Sequence, residues 1–253
     1  MSSFAERASS FGAIAADYDR LRPSPGHDAV DWIVPKGCEV AVDVAAGTGL
    51  FTRALAERVP TVYAVEPDDR MRAVLEERSP GVTALKGTGE AIPLPDESAD
   101  ALFVASAWHW LDPDRAIPEI RRVLRDGGRL GVLWTSRDRD IEWVRDLDRK
   151  PGDLPWDGAS EFEHRARRAR GLREVEGFEY VGSQSFGFTR RMLLEDVVEM
   201  VATYSAVITA DEDRRSAVLD AARDKLTKRF PGETEIDVPM RSWCWRGDRI
   251  VRQ

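Results

Sequence analysis

The chain has 253 residues, 42% hydrophobic and 32% charged, the profile of a folded protein with its own core rather than a disordered or fibrous chain. A net charge of −8 sets the overall field against polyanions, so nucleic acid is not expected as the main partner. Two cysteines, Cys38 and Cys244, with no Cys-x-x-Cys and no paired Cys/His spacing, exclude a disulfide framework and a structural zinc site, and no metal is expected.

In chain order, the N-terminal MSSFAERASSFGAIAADYDR lacks the apolar core of a signal peptide. No run is long and apolar enough to span a bilayer; the chain is expected in the cytoplasm, without a membrane partner. Glu39–Ala45, Thr61–Glu66, Val82–Gly87, Ala99–Ala107 and Arg129–Ser136 read as buried strands. Helical spacing lies between them: Phe51, Leu55 and Val59 after the first strand, and Ala116, Ile120 and Leu124 before the stop signal Gly127-Gly128. Pro118 is expected in the first turn of that second helix. Strand–helix alternation means βαβ units, a parallel sheet and helices on both faces, with ligands at the carboxyl ends of the strands.

The second half changes character. A polar segment with KPGDLPWDG precedes a charged helix, in which HRARRAR (His164–Arg170) reads as a solvated face. Ser183–Met192 looks like an antiparallel strand, two helical patterns cover Leu193–Ile208 and Asp211–Phe230, and a last strand begins at Met240. Residues 137–230 therefore include a helical cap insertion shaping the ligand edge of a single domain, residues 1–253, without internal repeats.

The strand ends carry the candidate site. Gly47 and Gly49 let the backbone turn and approach a ligand, and the next helix presents its N-terminus there. Asp43 sets a carboxylate beside the turn, a poor neighbour for a pyrophosphate and a reasonable one for an amine. The second strand ends at Glu66, before Pro67, where an acid suits the two hydroxyls of a ribose. Met71 beyond it lies against a purine face or belongs to the core. At Thr88-Gly89-Glu90, Gly89 leaves amides open to an adenine edge. Ser106 can offer a carbonyl, with Trp108, His109 and Trp110 lining the mouth; His109 reads equally as a substrate-side group and as a packed structural histidine.

The runs VDVAAGTGLFTRALAE, AVEPDDRMRAVL, GTGEAIPLPDESADALFVASAWHWLD and EIRRVLRDGGRLGVLW resemble successive motifs of class I S-adenosylmethionine-dependent methyltransferases. The likeness spans Phe11 to Asp138 and is closest to the small-molecule (type 11) group that includes trans-aconitate and quinone-biosynthesis methyltransferases. It implies a Rossmann-like α/β fold with a seven-stranded, mostly parallel sheet whose last strands are antiparallel. It also implies S-adenosylmethionine as the ligand of the strand-end residues and of Tyr18, in a lid formed by residues 1–30.

Three departures stand out. Ala45 occupies a common glycine position and is expected to take an ordinary backbone conformation or to displace the methionine tail. Thr52 replaces the third glycine of a dinucleotide loop, which disfavours a nicotinamide oxidoreductase. Thr88 stands where many relatives place an acid for the adenine amino group, a role Glu90 can supply.

The activity so implied is in-line methyl transfer to a small organic acceptor. His109 would be a base or a positioning group, and Trp108, Trp110 and Tyr18 would face the sulfonium or acceptor. Arg22 would close the site, or alternatively form a surface ion pair. Trp134, Arg137 and Arg139 fall near the mouth, and the two arginines suit a carboxylate acceptor. The alternative is a non-catalytic S-adenosylmethionine-binding protein. Ser106-Ala-Trp-His109 also replaces the Asn/Asp-Pro-Pro-aromatic signature of nucleic-acid methylation.

Overall fold

Short runs rich in valine, alanine and leucine form the centre of the sheet in the computed structural model, which describes residues 11–148, 175–208 and 210–251. The strands are β1 (Val40–Val44), β2 (Thr61–Val65), β3 (Thr83–Leu85), β4 (Ala99–Ala105), β5 (Leu124–Arg137), β6 (Phe178–Leu193) and β7 (Glu235–Arg249). They form one seven-stranded sheet in the order β3-β2-β1-β4-β5-β7-β6. The pairs from β3 to β5 are parallel; β7 runs antiparallel to β5, and β6 to β7. This is the Rossmann-like α/β arrangement expected from the motifs.

Both faces of the central strands are covered, which is why they read as continuous apolar runs rather than alternating ones. Val42 and Val44 of β1 join Trp108, Ile120 and Val123 in one core, while Ala41 joins Ile33, Phe51 and Leu55 in the opposite core. A third cluster unites Leu21, Met192, Val197, Val201, Leu226, Val238 and Met240. It packs the connecting helices Leu194–Ala202 and Glu212–Arg229 onto the end of the long β6–β7 pair. The antiparallel join at β5 is fastened by Arg129, which donates to both carboxylate oxygens of its register partner Asp248 at 2.8 and 3.1 Å.

The chain enters through the helix Ala15–Leu21, tied to elements distant in sequence. Arg53 pairs with Asp19 at 2.7 Å, and Arg20 with Asp196 and Glu199 at 2.5 Å each. From β6, the Arg190 guanidinium donates to the carbonyls of Arg20, Leu21 and Arg22.

Two sequence expectations are corrected. Pro118 sits inside the helix Pro113–Val123, whose first position is Pro113, capped by Asp112. The missing amide is tolerated because Pro118 is exposed, so the carbonyl it would have served faces the solvent side. The same helix ends at Val123, and Leu124 already pairs with Ala99 in β5. Gly127-Gly128 therefore falls in a register irregularity of β5, with Gly127 at φ 72°, rather than terminating the helix. KPGDLPWDG and HRARRAR lie outside the described residues. Among those described, no helix is long and apolar enough to cross a membrane.

Candidate active site

Strand order reverses at β1, which is flanked by β2 on one side and β4 on the other. Such a switch point opens a crevice at the carboxyl ends of the strands, and here it holds a cavity of about 690 Å³. That is within the roughly 300–1,000 Å³ of ligand-sized clefts. The two strand ends that open it share one device: Ala45 after β1 and Ser106 after β4 adopt left-handed backbone, at φ 54° and 57°. Each then returns an amide to a neighbouring strand, Ala46 N to Val65 O and Ser106 N to Leu133 O. The expectation of an ordinary conformation at Ala45 is thus corrected. The turn keeps the geometry a glycine would take, with the alanine carrying the strain.

Of the sequence candidates, Tyr18, Arg22, Ala45, Gly47, Glu66, Pro67, Met71, Thr88, Gly89, Glu90, Ser106, His109, Trp110 and Trp134 line this one cavity. Glu66 is nearly fully buried and braces the glycine turn: Oε2 accepts from Gly47 N at 2.8 Å, and Oε1 from Asp68 N at 2.9 Å. Burial raises its pKa above the ordinary value, against the two amide bonds that lower it. Gly47, at φ 59°, borders open space, so a side chain there would intrude on the cavity from a strained backbone. Thr48 Oγ is buried in the lining without a partner among the described residues. Met71 is both core and wall, 5% exposed yet lining the cavity. The Thr88 amide and carbonyl are engaged with Ala91, and one oxygen of Glu90 accepts from Asp112 N. His109 is exposed, its ring 4.8 Å from that of Trp110.

Asp43, Gly49, Trp108 and Arg137 do not line the cavity, each for a physical reason. Asp43 is fully buried between Val42 and Val44 of the core on one face of β1, so strand alternation turns it to the other face, toward the helix Leu50–Ala56. There Thr52 Oγ1 donates to Asp43 Oδ2 at 2.6 Å, so the Thr52 that displaces the third glycine serves as the partner of this acid. Burial lifts the Asp43 pKa to about 7, opposed by the Thr52 bond and aided by the charge of Glu66. Gly49, at φ 85°, packs on the helix Asp69–Arg78, where a Cβ would meet Ser79 Oγ at 2.9 Å and Leu75 Cγ at 3.0 Å. Trp108 opens a 3₁₀ turn, Trp108–Trp110, whose threefold winding sends its side chain into the core while His109 and Trp110 reach the cavity. Arg137, at the end of β5, is fully buried and donates to Tyr204 Oη at 3.0 Å.

The cavity also contains residues outside the predicted set, notably Leu111, Ser136 and Tyr204. Tyr204 comes from the connection between β6 and β7, and no local pattern marks it as a cavity residue. Arg139, placed near the mouth by its position after the fifth strand, is in the lining.

With this geometry in place, comparison with known proteins identifies the family. Residues 42–132 match the family described as "Methyltransferase domain". An uncharacterized methyltransferase of Mycobacterium tuberculosis is 40% identical over 217 residues, 86% of this chain and 85% of the relative. The malonyl-[acyl-carrier protein] O-methyltransferase of Methylococcus capsulatus is 39% identical over 132 residues, 48% of each chain. Among solved structures, a protein of Anaeromyxobacter dehalogenans, provisionally described as a type II methyltransferase, superposes with a TM-score of 0.67 at 24% identity. That match covers 92% of this chain and 99% of the other. The cyclase SpnF shares the fold at a TM-score of 0.51 and 21% identity, over 92% and 82% of the two chains, so the fold alone does not fix the reaction. The sequence relationship does fix the family: this chain belongs to the class I methyltransferases.

Proposed function

We propose that the cavity binds S-adenosylmethionine and that the protein transfers its methyl group to a small organic acceptor. The observation that carries this reading is the buried Glu66 carboxylate at the end of β2, sharing one cavity with the glycine turn after β1. The donor set fits the cofactor. Each Glu66 oxygen accepts one amide and retains acceptor capacity for a ribose hydroxyl. The open side of Gly47 and the unpartnered Thr48 hydroxyl suit a polar amino-acid tail. Met71, Pro67 and Leu111, with Thr88–Glu90, offer an apolar wall and polar rim for a purine.

When bound, this cofactor supplies a methyl already activated on a sulfonium. The protein's own task is to align an acceptor with that methyl, which is chiefly a matter of positioning. Trp110, Trp134 and Tyr204 would shape the acceptor's place. The segment Ala15–Arg22, with the cap helices between β6 and β7, would form a lid that excludes water. His109, exposed in the cavity, would take the acceptor's proton or only orient it. The Methylococcus relative, named for an acyl acceptor, supports an organic acceptor rather than a nucleic acid.

Calorimetric titration with S-adenosylhomocysteine, alongside Glu66→Ala, tests the reading. Micromolar binding by the wild type, weakened at least tenfold in the variant (about 1.4 kcal/mol), is expected. Because Glu66 also braces Gly47 and Asp68, the variant's melting temperature is read beside it. No binding by the folded wild type at high micromolar ligand would sink the proposal.

A further inference from the structure

The last strand of the sheet has an unguarded edge. β6 spans 16 residues and pairs with β7 on one side only. Among the described residues, no backbone group bonds to its other side. Alternate residues of such an edge turn their N–H and C=O groups outward, where another strand can pair with them. Sheet edges are commonly protected by lysine, proline, a bulge or a covering element. From Tyr180 to Thr189, β6 has no charged residue and no proline, and its bulge lies near the start, between Tyr180 and Gly182. Three of the six large apolar side chains exposed among the described residues, Tyr180, Val181 and Leu193, also belong to this strand. Gly187 marks its middle. A glycine inside a strand weakens it and commonly marks a bulge, a bend or the close approach of another backbone. Gly187 is in regular register with Arg241, and its φ lies outside the left-handed region. An added Cβ would meet only Met240 O, at 4.0 Å, among the described residues. Nothing described within this chain therefore calls for glycine there.

The residue types about Gly187 mirror one another: Phe186 and Phe188 flank it, then Ser185 and Thr189. We infer that β6 pairs antiparallel with β6 of a second copy of this chain across a twofold axis at Gly187, joining the two seven-stranded sheets edge to edge. In that register Phe186 faces Phe188 of the second copy and Ser185 faces its Thr189. Aromatic pairs and hydroxyl pairs are both favourable across antiparallel strands. Arg190 and Arg191 meet Gln184 and Ser183 of the second copy, so no like charges are opposed. Val181 comes near Leu193 of the second copy, which covers two of the exposed apolar groups. The self-matching pattern is what selects a second copy, because a foreign strand needs no twofold pattern in its receptor. A contact of this kind closes on itself, so the product is a dimer rather than a fibre. The net charge of −8 on each copy works against association, but none of that charge lies between Tyr180 and Thr189. No residue of β6 lines the cavity, so the pairing leaves the proposed ligand site open.

Light scattering after gel filtration tests the pairing, and at micromolar concentration the wild-type mass is expected to be that of two copies. Gly187→Lys and Gly187→Glu each set identical charges face to face at the axis, and each should weaken the dimer at least tenfold. Mixed in equal amounts, the two variants should form a dimer again, because every lysine then meets a glutamate. Circular dichroism and the melting temperature of each variant alone establish that it folds. Gly187→Cys should cross-link through a disulfide on mild oxidation, the two native cysteines being buried. Ser183→Cys, exposed on the same strand but away from the axis, should not. A monomeric wild type, a dimer that neither charge weakens, or a mixture that stays monomeric would each overturn the inference. If a charged variant does not fold, the cysteine pair decides: cross-linking of Gly187→Cys no faster than that of Ser183→Cys overturns it as well.

Discussion

Ala45 holds a left-handed conformation at φ 54°, where an L-residue other than glycine is strained by roughly 1–2 kcal/mol. That cost sits in the turn that opens the cavity, between β1 and Gly47. Ala45→Gly is therefore expected to raise unfolding stability by about 1 kcal/mol, the relief exceeding the entropy glycine adds to the unfolded chain. Chemical denaturation measures it, and a variant less stable than the wild type would show that the methyl group packs well enough to outweigh the strain. The glycine-to-alanine difference was visible in the sequence, but its conformational consequence was not. A backbone angle is set by where the chain must go next, here back to Val65 O through Ala46 N.

The N-terminal helix Ala15–Leu21 has too few residues to persist alone, and it is held by side chains from β6 and the helix Leu194–Ala202. Arg190 is the central clasp, donating to three successive carbonyls, with burial pulling its pKa below the usual guanidinium value. Hydrogen bonds from a charged donor are worth about 1.5–3 kcal/mol each when buried and less when exposed. Arg190→Ala is thus expected to speed amide exchange across residues 15–22 by at least tenfold, while the central strands keep wild-type protection. Unchanged exchange in that segment would mean that the ion pairs of Arg20 and Arg53 suffice to hold it. The element also carries Tyr18 and leads directly into Arg22, so the same clasp sets both aromatic and cationic walls of the cavity.

One part of the molecule's pH response comes from two buried acids at the glycine turn. Asp43 has a folded pKa of about 7, raised first by burial, against about 3.9 in an unfolded chain. Glu66 is shifted in the same direction. Between those pH values the folded state keeps a proton that the unfolded state has lost. The contribution is fully present below about pH 4 and is lost as pH rises through about 7. Asp43→Asn removes the Asp43 part of this dependence. The stability of the variant relative to the wild type should improve by on the order of 2 kcal/mol between pH 5 and pH 7. Parallel denaturation curves at the two pH values check this, and a difference that does not change with pH would mean that Asp43 is ionised throughout.

The sequence by itself determined the periodic and local features: the central strands, the glycine turn, the acid after β2 and the motif order that places them at one sheet edge. Those depend on side-chain alternation, apolar runs and backbone freedom, all encoded within a few residues. Tertiary structure decided which side of each strand end faces the ligand space. It turned Asp43 to Thr52, sent Trp108 into the core and buried Arg137 behind Tyr204. It also brought Arg22 against Tyr204 across most of the chain. Such partnerships depend on how the helices between β6 and β7 pack onto that strand pair, and packing between distant segments leaves no spacing in the sequence from which it can be read.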